Sequence, residues 1–201
     1  MEADPLSPHI ATASARRELL SLLVSSGAYS QDRHFVNIDR IWQSPPVLDS
    51  FSLHLCSLLP ALLPIAQTES LATVDNVDFP YGPVPIAVEV SRRLGLPLAI
   101  WKENADPVTA SHEIFGHLPS SKTIMLYDVT RFGLTALRSI LWMHERDYAP
   151  RWFVTIVDCE EDAREIITGQ LRADTGLVID FIPIFTLGEI AAEASRAGAN
   201  P

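Results

Sequence analysis

The sequence predicts an α/β fold: a parallel sheet covered by helices on both faces. Strand-like and helix-like segments alternate along most of the chain. The strand candidates SLATVDN, TIMLYD and RWFVTIVD are nearly continuous apolar runs, the mark of strands buried on both sides. Turns rich in Gly, Pro, Asp and Thr follow several strands, at the ends where such sheets bind ligands. A length of 201 residues suits one domain, and a composition 47% hydrophobic and 20% charged supplies a packed core. The expected division is a flexible N-terminus over residues 1–13 and a single domain over 14–201.

The elements follow in order. Ser14 and ARRELLSLLVSSG give a capped helix with Leu19, Leu20, Leu22 and Leu23 on its apolar face, stopping at Gly27. HFVNID, from His34, is a short strand. SPPVLDSFSLHLCSLLPALL has proline at a helix start and apolar residues at helical spacing, and Pro60 is expected to end or kink that helix. SLATVDN is a strand, FPYGPVP a turn, PIAVEVSRRLG an amphipathic helix closed by Gly95, and LPLAIW a strand. Residues 102–121 lack clear periodicity and read as a long loop that has room for a hairpin. TIMLYD is a third strand, LTALRSILWMHERD a helix, RWFVTIVD a fourth strand, DAREIITGQLRA a helix and LVIDFIPI a fifth strand. Thr186 and Glu189 form a capping box opening the last helix.

The net charge of −10 comes from 25 acidic and 15 basic side chains. Such a chain makes a poor surface for nucleic acid or an anionic membrane. Cys56 and Cys159 show neither metal-ligand spacing nor a disulfide framework, and the first residues lack the basic and apolar regions of a signal peptide. The expected location is the cytoplasm. The apolar stretch Leu53–Ile65 is too short and too broken by prolines to span a bilayer.

The most informative segment is IMLYDVTRFGLT. An apolar strand delivers one carboxylate, Asp128, to a turn containing Thr130, Arg131, Gly133 and Thr135 ahead of a helix. Main-chain N–H groups at such a turn, with the helix dipole behind them, favour a phosphate. Other patterns have plainer explanations. SHEIFGH places one residue too many between His112 and His117 for a helical zinc site, so it reads as loop. Asp158, Glu160, Glu161 and Asp162 at a helix start suit its dipole. Cys159 at that helix start is a lone thiol.

Together these segments resemble the type I phosphoribosyltransferases, most closely the orotate phosphoribosyltransferases, from about Ala15 to the C-terminus. SSGAY resembles the exit of the family's first helix, and FPYGPVPIAVEVSRRLGLPLAIWKE its pyrophosphate loop, helix and strand. IMLYDVTRFGLTALRSI resembles the strand, turn and helix that bind phosphoribosyl pyrophosphate (PRPP), and FIPIFTLGEI the last strand and helix. The resemblance implies that Asp128, Thr130, Arg131, Gly133 and Thr135 surround the phosphoribosyl group, with Tyr81, Gly82 and Lys102 on the pyrophosphate side. It also implies Mg²⁺ as cofactor if the chain is active, a small-molecule phosphosugar or nucleotide as ligand, and a homodimer in which the SFSLHLCSLLPALL helix suits the interface.

The chain departs from the family pattern at several places. Tyr127 replaces the first of two adjacent acids, and Arg131, Phe132 and Leu134 replace small residues or glycine. Pro83 replaces a second glycine of the pyrophosphate loop and removes a donor. Asp106, Val108 and Thr109 stand where the mobile loop carries a catalytic lysine and a His-Gly, and the hairpin between Tyr29 and His34 lacks its usual lysine. Two functions are therefore open: phosphoribosyl transfer, impaired or altered, or a non-catalytic regulatory or partner-binding module on the same fold. No catalytic residue is assigned, and no metal ligands.

Overall fold

The computed structural model describes residues 7–75, 82–102, 113–117 and 120–198. The N-terminal part comprises helix α1 (Ser7–Ser25), a hairpin of β1 (Tyr29–Ser30) and β2 (Phe35–Val36), a helical turn α2 (Asp39–Trp42) and helix α3 (Pro45–Leu62). The α/β part then runs β3 (Ser70–Asp75), α4 (Val84–Leu94), β4 (Leu98–Lys102), β5 (Glu113–Gly116), β6 (Thr123–Thr130), α5 (Leu134–His144), β7 (Trp152–Asp158), α6 (Ala163–Thr175), β8 (Asp180–Thr186) and α7 (Leu187–Arg196).

The main sheet has the order β5-β4-β3-β6-β7-β8. Strands β4, β3, β6, β7 and β8 are parallel, and β5 adds an antiparallel edge against β4. The five expected parallel strands are present, and the sixth arises because the long segment after Lys102 does carry a hairpin partner. The chain passes from β3 outward to β4, then returns to place β6 on the other side of β3. That reversal opens a crevice at the carboxyl ends of β3 and β6.

Period-two alternation along β6 divides the core. Ile124 and Leu126 pack with Leu19 and Leu23 of α1, Phe51, Leu55 and Leu59 of α3, and Ile86 and Val90 of α4. Met125 and Tyr127 pack on the opposite face with Leu137 and Ile140 of α5, Phe153, and Ile167 and Leu171 of α6. Ile124, Met125 and Leu126 are wholly inaccessible, which explains why this strand reads as an unbroken apolar run.

The structure differs from expectation in three places. Helix α1 begins at Ser7, not Ser14; Pro8 falls in its first turn, where no N–H is required. Pro60 does not end α3, which continues to Leu62 and closes with Leu63 N–H on Leu59 C=O at 2.9 Å. A proline in the last turn forfeits a single helical bond, and the buried flanking Leu58, Leu59 and Leu63 hold the turn in place. Strand β6 runs two residues past Asp128, pairing Val129 with Val157 and Thr130 with Asp158. The Thr186–Glu189 capping box forms as expected, with both reciprocal bonds present. Thr186→Ala should cost about 1 kcal/mol in urea unfolding with an unchanged m-value.

Candidate functional site

A cleft of about 550 Å³ opens at the crevice between β3 and β6. Its floor is Val74 and the Tyr127–Thr130 end of β6, and one wall is the turn Arg131–Gly133 with the start of α5. Gly82 and Pro83 contribute from the segment after β3, Cys159 and Glu161 from the loop after β7, and Leu187 from the end of β8. The β1–β2 hairpin and the residues leading into α2 line the cleft with residues 33–39, and the Tyr29 hydroxyl lies 3.4 Å from His34 Nδ1 within the hairpin.

The structure therefore brings Asp128, Thr130, Arg131, Gly133, Thr135 and Gly82 to one cleft. Lys102 is exposed at the end of β4, two strands from β6, and is not among the described lining residues. Tyr81 and the positions Asp106, Val108 and Thr109 lie outside the described residues, as does His112. Glu113 belongs to a strand, which rules out the helical zinc geometry for its segment.

Each residue's setting limits what it can do. Gly133 is fixed by two constraints. Its φ of +73° is left-handed, and a Cβ there would lie 2.9 Å from the Ile167 side chain and 3.2 Å from Ala163 C=O. It is the residue before α5, and its carbonyl accepts from Leu137 N–H at 2.8 Å. The first amides of that helix have no intrahelical partners, and Leu134, Thr135 and Ala136 of its first turn line the cleft. Thr135 lies in that first turn, half-buried on the cleft wall. Thr130 is different: its hydroxyl is buried and donates to Thr155 Oγ at 2.8 Å, so it braces β6 against β7. Phe132 and Leu134 are about half exposed, at 49% and 57%, and form an apolar rim rather than filling the turn.

Tyr127 and Asp128 point to opposite faces of β6. The Tyr127 ring is buried, 5.5 Å from the Phe153 ring centre. Asp128 is half-buried, and desolvation pushes its carboxyl up from about 3.8 to about 6; backbone N–H bonds from Val129 and from itself oppose the rise, and Asp39 across the cleft adds to it. Arg131 Nε lies 3.0 Å from both carboxylate oxygens of Glu161, and its guanidinium sits 5.0 Å from the Phe132 ring centre. The lining carries Arg33, Arg131 and Arg138 against Asp39, Asp128 and Glu161.

The acidic loop after β7 does not act as a helix cap. Asp162 precedes α6 with φ +61° and makes no side-chain cap bond. Asp158 instead accepts from Glu160 N–H at 3.0 Å, and Glu160 accepts from Gly188 N–H at 3.2 Å. Burial raises the Cys159 thiol to about 11, with Glu161 and Asp158 adding to the shift. A thiol so strongly protonated is not the activated nucleophile that a helix start would suggest.

Sequence inspection missed Asp39, Phe35 and Arg138. Asp39 and Phe35 reach the cleft only through the tertiary placement of the hairpin, for which no local pattern exists. Arg138 could have been found, since it stands three residues beyond Thr135 on the same helix and so shares its face.

No family model matches the chain. Its sequence is 26% identical over 186 residues to the orotate phosphoribosyltransferase of Methanosarcina acetivorans, covering 87% of this chain and 91% of that one. The crystal structure of orotate phosphoribosyltransferase from Aeropyrum pernix superposes with a TM-score of 0.67 at 19% identity, covering 91% of this chain and 99% of that one. The orotate phosphoribosyltransferase of Mycobacterium tuberculosis in complex with PRPP gives a TM-score of 0.58 at 14% identity, covering 90% of this chain and 92% of that one. A mostly parallel sheet with a cleft at its switch point is thus the fold of these type I phosphoribosyltransferases. In sequence the chain is similar to orotate phosphoribosyltransferases.

Two predictions follow from the geometry. Gly133→Ala should destabilise the chain by about 1–3 kcal/mol in chemical denaturation, because both the left-handed backbone and the Ile167 contact must give way. Asp128→Asn should have the opposite sign. The native carboxyl binds its proton more tightly than the unfolded one, so native stability falls as pH rises from about 4 to about 6 and stays reduced above. The variant should therefore be more stable than the parent at pH 7–8, by up to about 3 kcal/mol, with the gain vanishing near pH 4. Unfolding curves across this range read the effect directly.

Proposed function

We propose that this cleft binds PRPP or a related phosphosugar or nucleotide, and that phosphoribosyl transfer is impaired or altered. The observation that carries the proposal is the turn at Arg131–Thr135. Its glycine is held by steric constraint, its helix start faces the cleft, and an ionisable carboxylate, Asp128, lies beside it. That arrangement suits a 5′-phosphate at the helix amides and ribose hydroxyls donating to Asp128.

Lowered turnover is supported by Tyr127, whose ring is committed to the core against Phe153 and which carries a phenol where a carboxylate would stand. It offers the ribose no second anionic acceptor. The sequence of the mobile loop, with Asp106 and Val108 in place of basic residues, supplies no positive charge for a departing pyrophosphate. Loss of one positioned stabilising donor costs about 10²–10³ in rate, so several such losses leave little activity.

Mg²⁺ belongs to the proposal only through the substrate. A hard cation prefers oxygen ligands; Asp128 and Asp39 are carboxylates of the cleft lining, but among the described residues no group of three or more ligands could hold the ion without the substrate's oxygens. Asp128 carries a charge that burial disfavours, which a neighbouring cation would stabilise. When bound, the ion would supply charge neutralisation of the diphosphate.

Two further parts of the reading concern context. A homodimer is supported by Leu53 and Leu62, which α3 leaves substantially exposed. A cytoplasmic location is supported by two free cysteines and by the kinship with enzymes of nucleotide metabolism. Among the described residues no helix is long and apolar enough to cross a membrane.

Calorimetric titration with PRPP, with and without Mg²⁺, and an orotate-consumption assay test the proposal together. Binding without appreciable turnover is expected. Turnover on the order of 1–10³ per second would contradict the impairment, and absence of binding by PRPP, ribose 5-phosphate and nucleotides would favour a module that uses the fold for a protein partner.

A further inference from the structure

Arg131 and Glu161 reach the same cleft from different strands, one through the turn after β6 and the other through the loop after β7. Arg131 Nε is 3.0 Å from each Glu161 oxygen, while the Phe132 ring lies beneath the guanidinium at 5.0 Å. The most prominent cation of the phosphate turn therefore already holds an anion, and that anion is part of the protein. Glu161 sits among Asp158, Glu160 and Asp162, whose like charges surround it, and pairs with Arg131 of the neighbouring turn. The pair is open to solvent, with the Arg131 side chain 67% and the Glu161 side chain 35% exposed. Exposed pairs of this kind are weak and exchange readily.

We infer that Glu161 is an internal competitor for the ligand's phosphate, occupying Arg131 until a phosphate group displaces it. This rests on the reading that the turn after β6 receives a phosphate. The exchange is of one anion for another at a single guanidinium, with no covalent step. A phosphate monoester can win it because it carries nearly two charges near neutral pH and three acceptor oxygens, against one charge and two oxygens for the carboxylate. Glu161 is thus an affinity-setting residue, and Phe132 keeps the guanidinium over the turn after the exchange.

The test is calorimetric titration of ribose 5-phosphate into the full chain, at low salt, for the parent, Glu161→Gln, Arg131→Gln and the double variant. Glu161→Gln should tighten binding roughly two- to five-fold, and the gain should shrink in high salt. In the Arg131→Gln background the same change should give a much smaller gain, because nothing is left to compete for. Glu161→Ala serves as a second variant should the glutamine one fold poorly. A parent that binds while Glu161→Gln binds no better would overturn the inference and leave the phosphate site intact. A gain that persists undiminished without Arg131 would also overturn it, showing a general field effect instead. If neither parent nor variant binds, the phosphate-site reading fails and this inference falls with it.

Discussion

The position of β6 between β3 and β7 is the constraint on which the site depends. A strand with both neighbours parallel and both faces covered must pair its backbone groups on each side, and β6 pairs with β3 from Thr123 to Leu126 and with β7 from Ile124 to Thr130. Buried hydroxyls reinforce the register. Ser70 Oγ lies 2.6 Å from Thr123 Oγ, Thr73 Oγ donates to Leu126 C=O at 2.9 Å, and Thr130 Oγ donates to Thr155 Oγ at 2.8 Å. A slip of one residue would exchange the two faces, sending Asp128 into the aromatic cluster and Tyr127 away from Phe153. The site's chemistry is therefore a consequence of strand register: one face receives the ring, the other the carboxylate, and the turn begins where pairing with β7 stops.

That geometry separates binding from catalysis. In the proposed reading, the parts that would hold a phosphate are backbone features: a left-handed glycine, a helix start and a turn of fixed length. They tolerate the side chains Arg131, Phe132 and Leu134, because these project to the rim and not into the turn. The parts that turn over a substrate are side chains, and they tolerate replacement far less. Tyr127 is well packed where it stands, so its phenol is a stable element of the core and a poor substitute for an acid. Among the described residues, three arginines and three acids line the cleft of this acidic chain.

Most of the fold was legible in the sequence, since the buried strands are apolar runs and the helix boundaries carry prolines, glycines and the Thr186 capping box. Asp128 and the turn were legible for the same reason: an apolar strand followed by Asp, Thr and Gly announces a strand end and a turn. What could not be read has identifiable causes. Pro60 was weighed by its local penalty, whereas the buried leucines around it decide the outcome. The acids at 158–162 were assigned to the helix dipole, but the left-handed backbone at Glu160 and Asp162 turns them toward Arg131 and Gly188 instead. Lys102 lies at the correct end of the sheet but two strands over, and lateral distance in a sheet leaves no trace in local sequence. The hairpin that brings Asp39 and Phe35 over the cleft is likewise a tertiary event.

The central claim is that the turn between β6 and α5 receives a phosphate while Tyr127 stays in the core. A crystal structure of the chain with ribose 5-phosphate tests it most directly. The account predicts phosphate oxygens against the amides at the start of α5, ribose hydroxyls at Asp128, and the Tyr127 ring still packed on Phe153. A phosphate bound elsewhere, or a Tyr127 ring turned out of the core to meet the ribose, would contradict it.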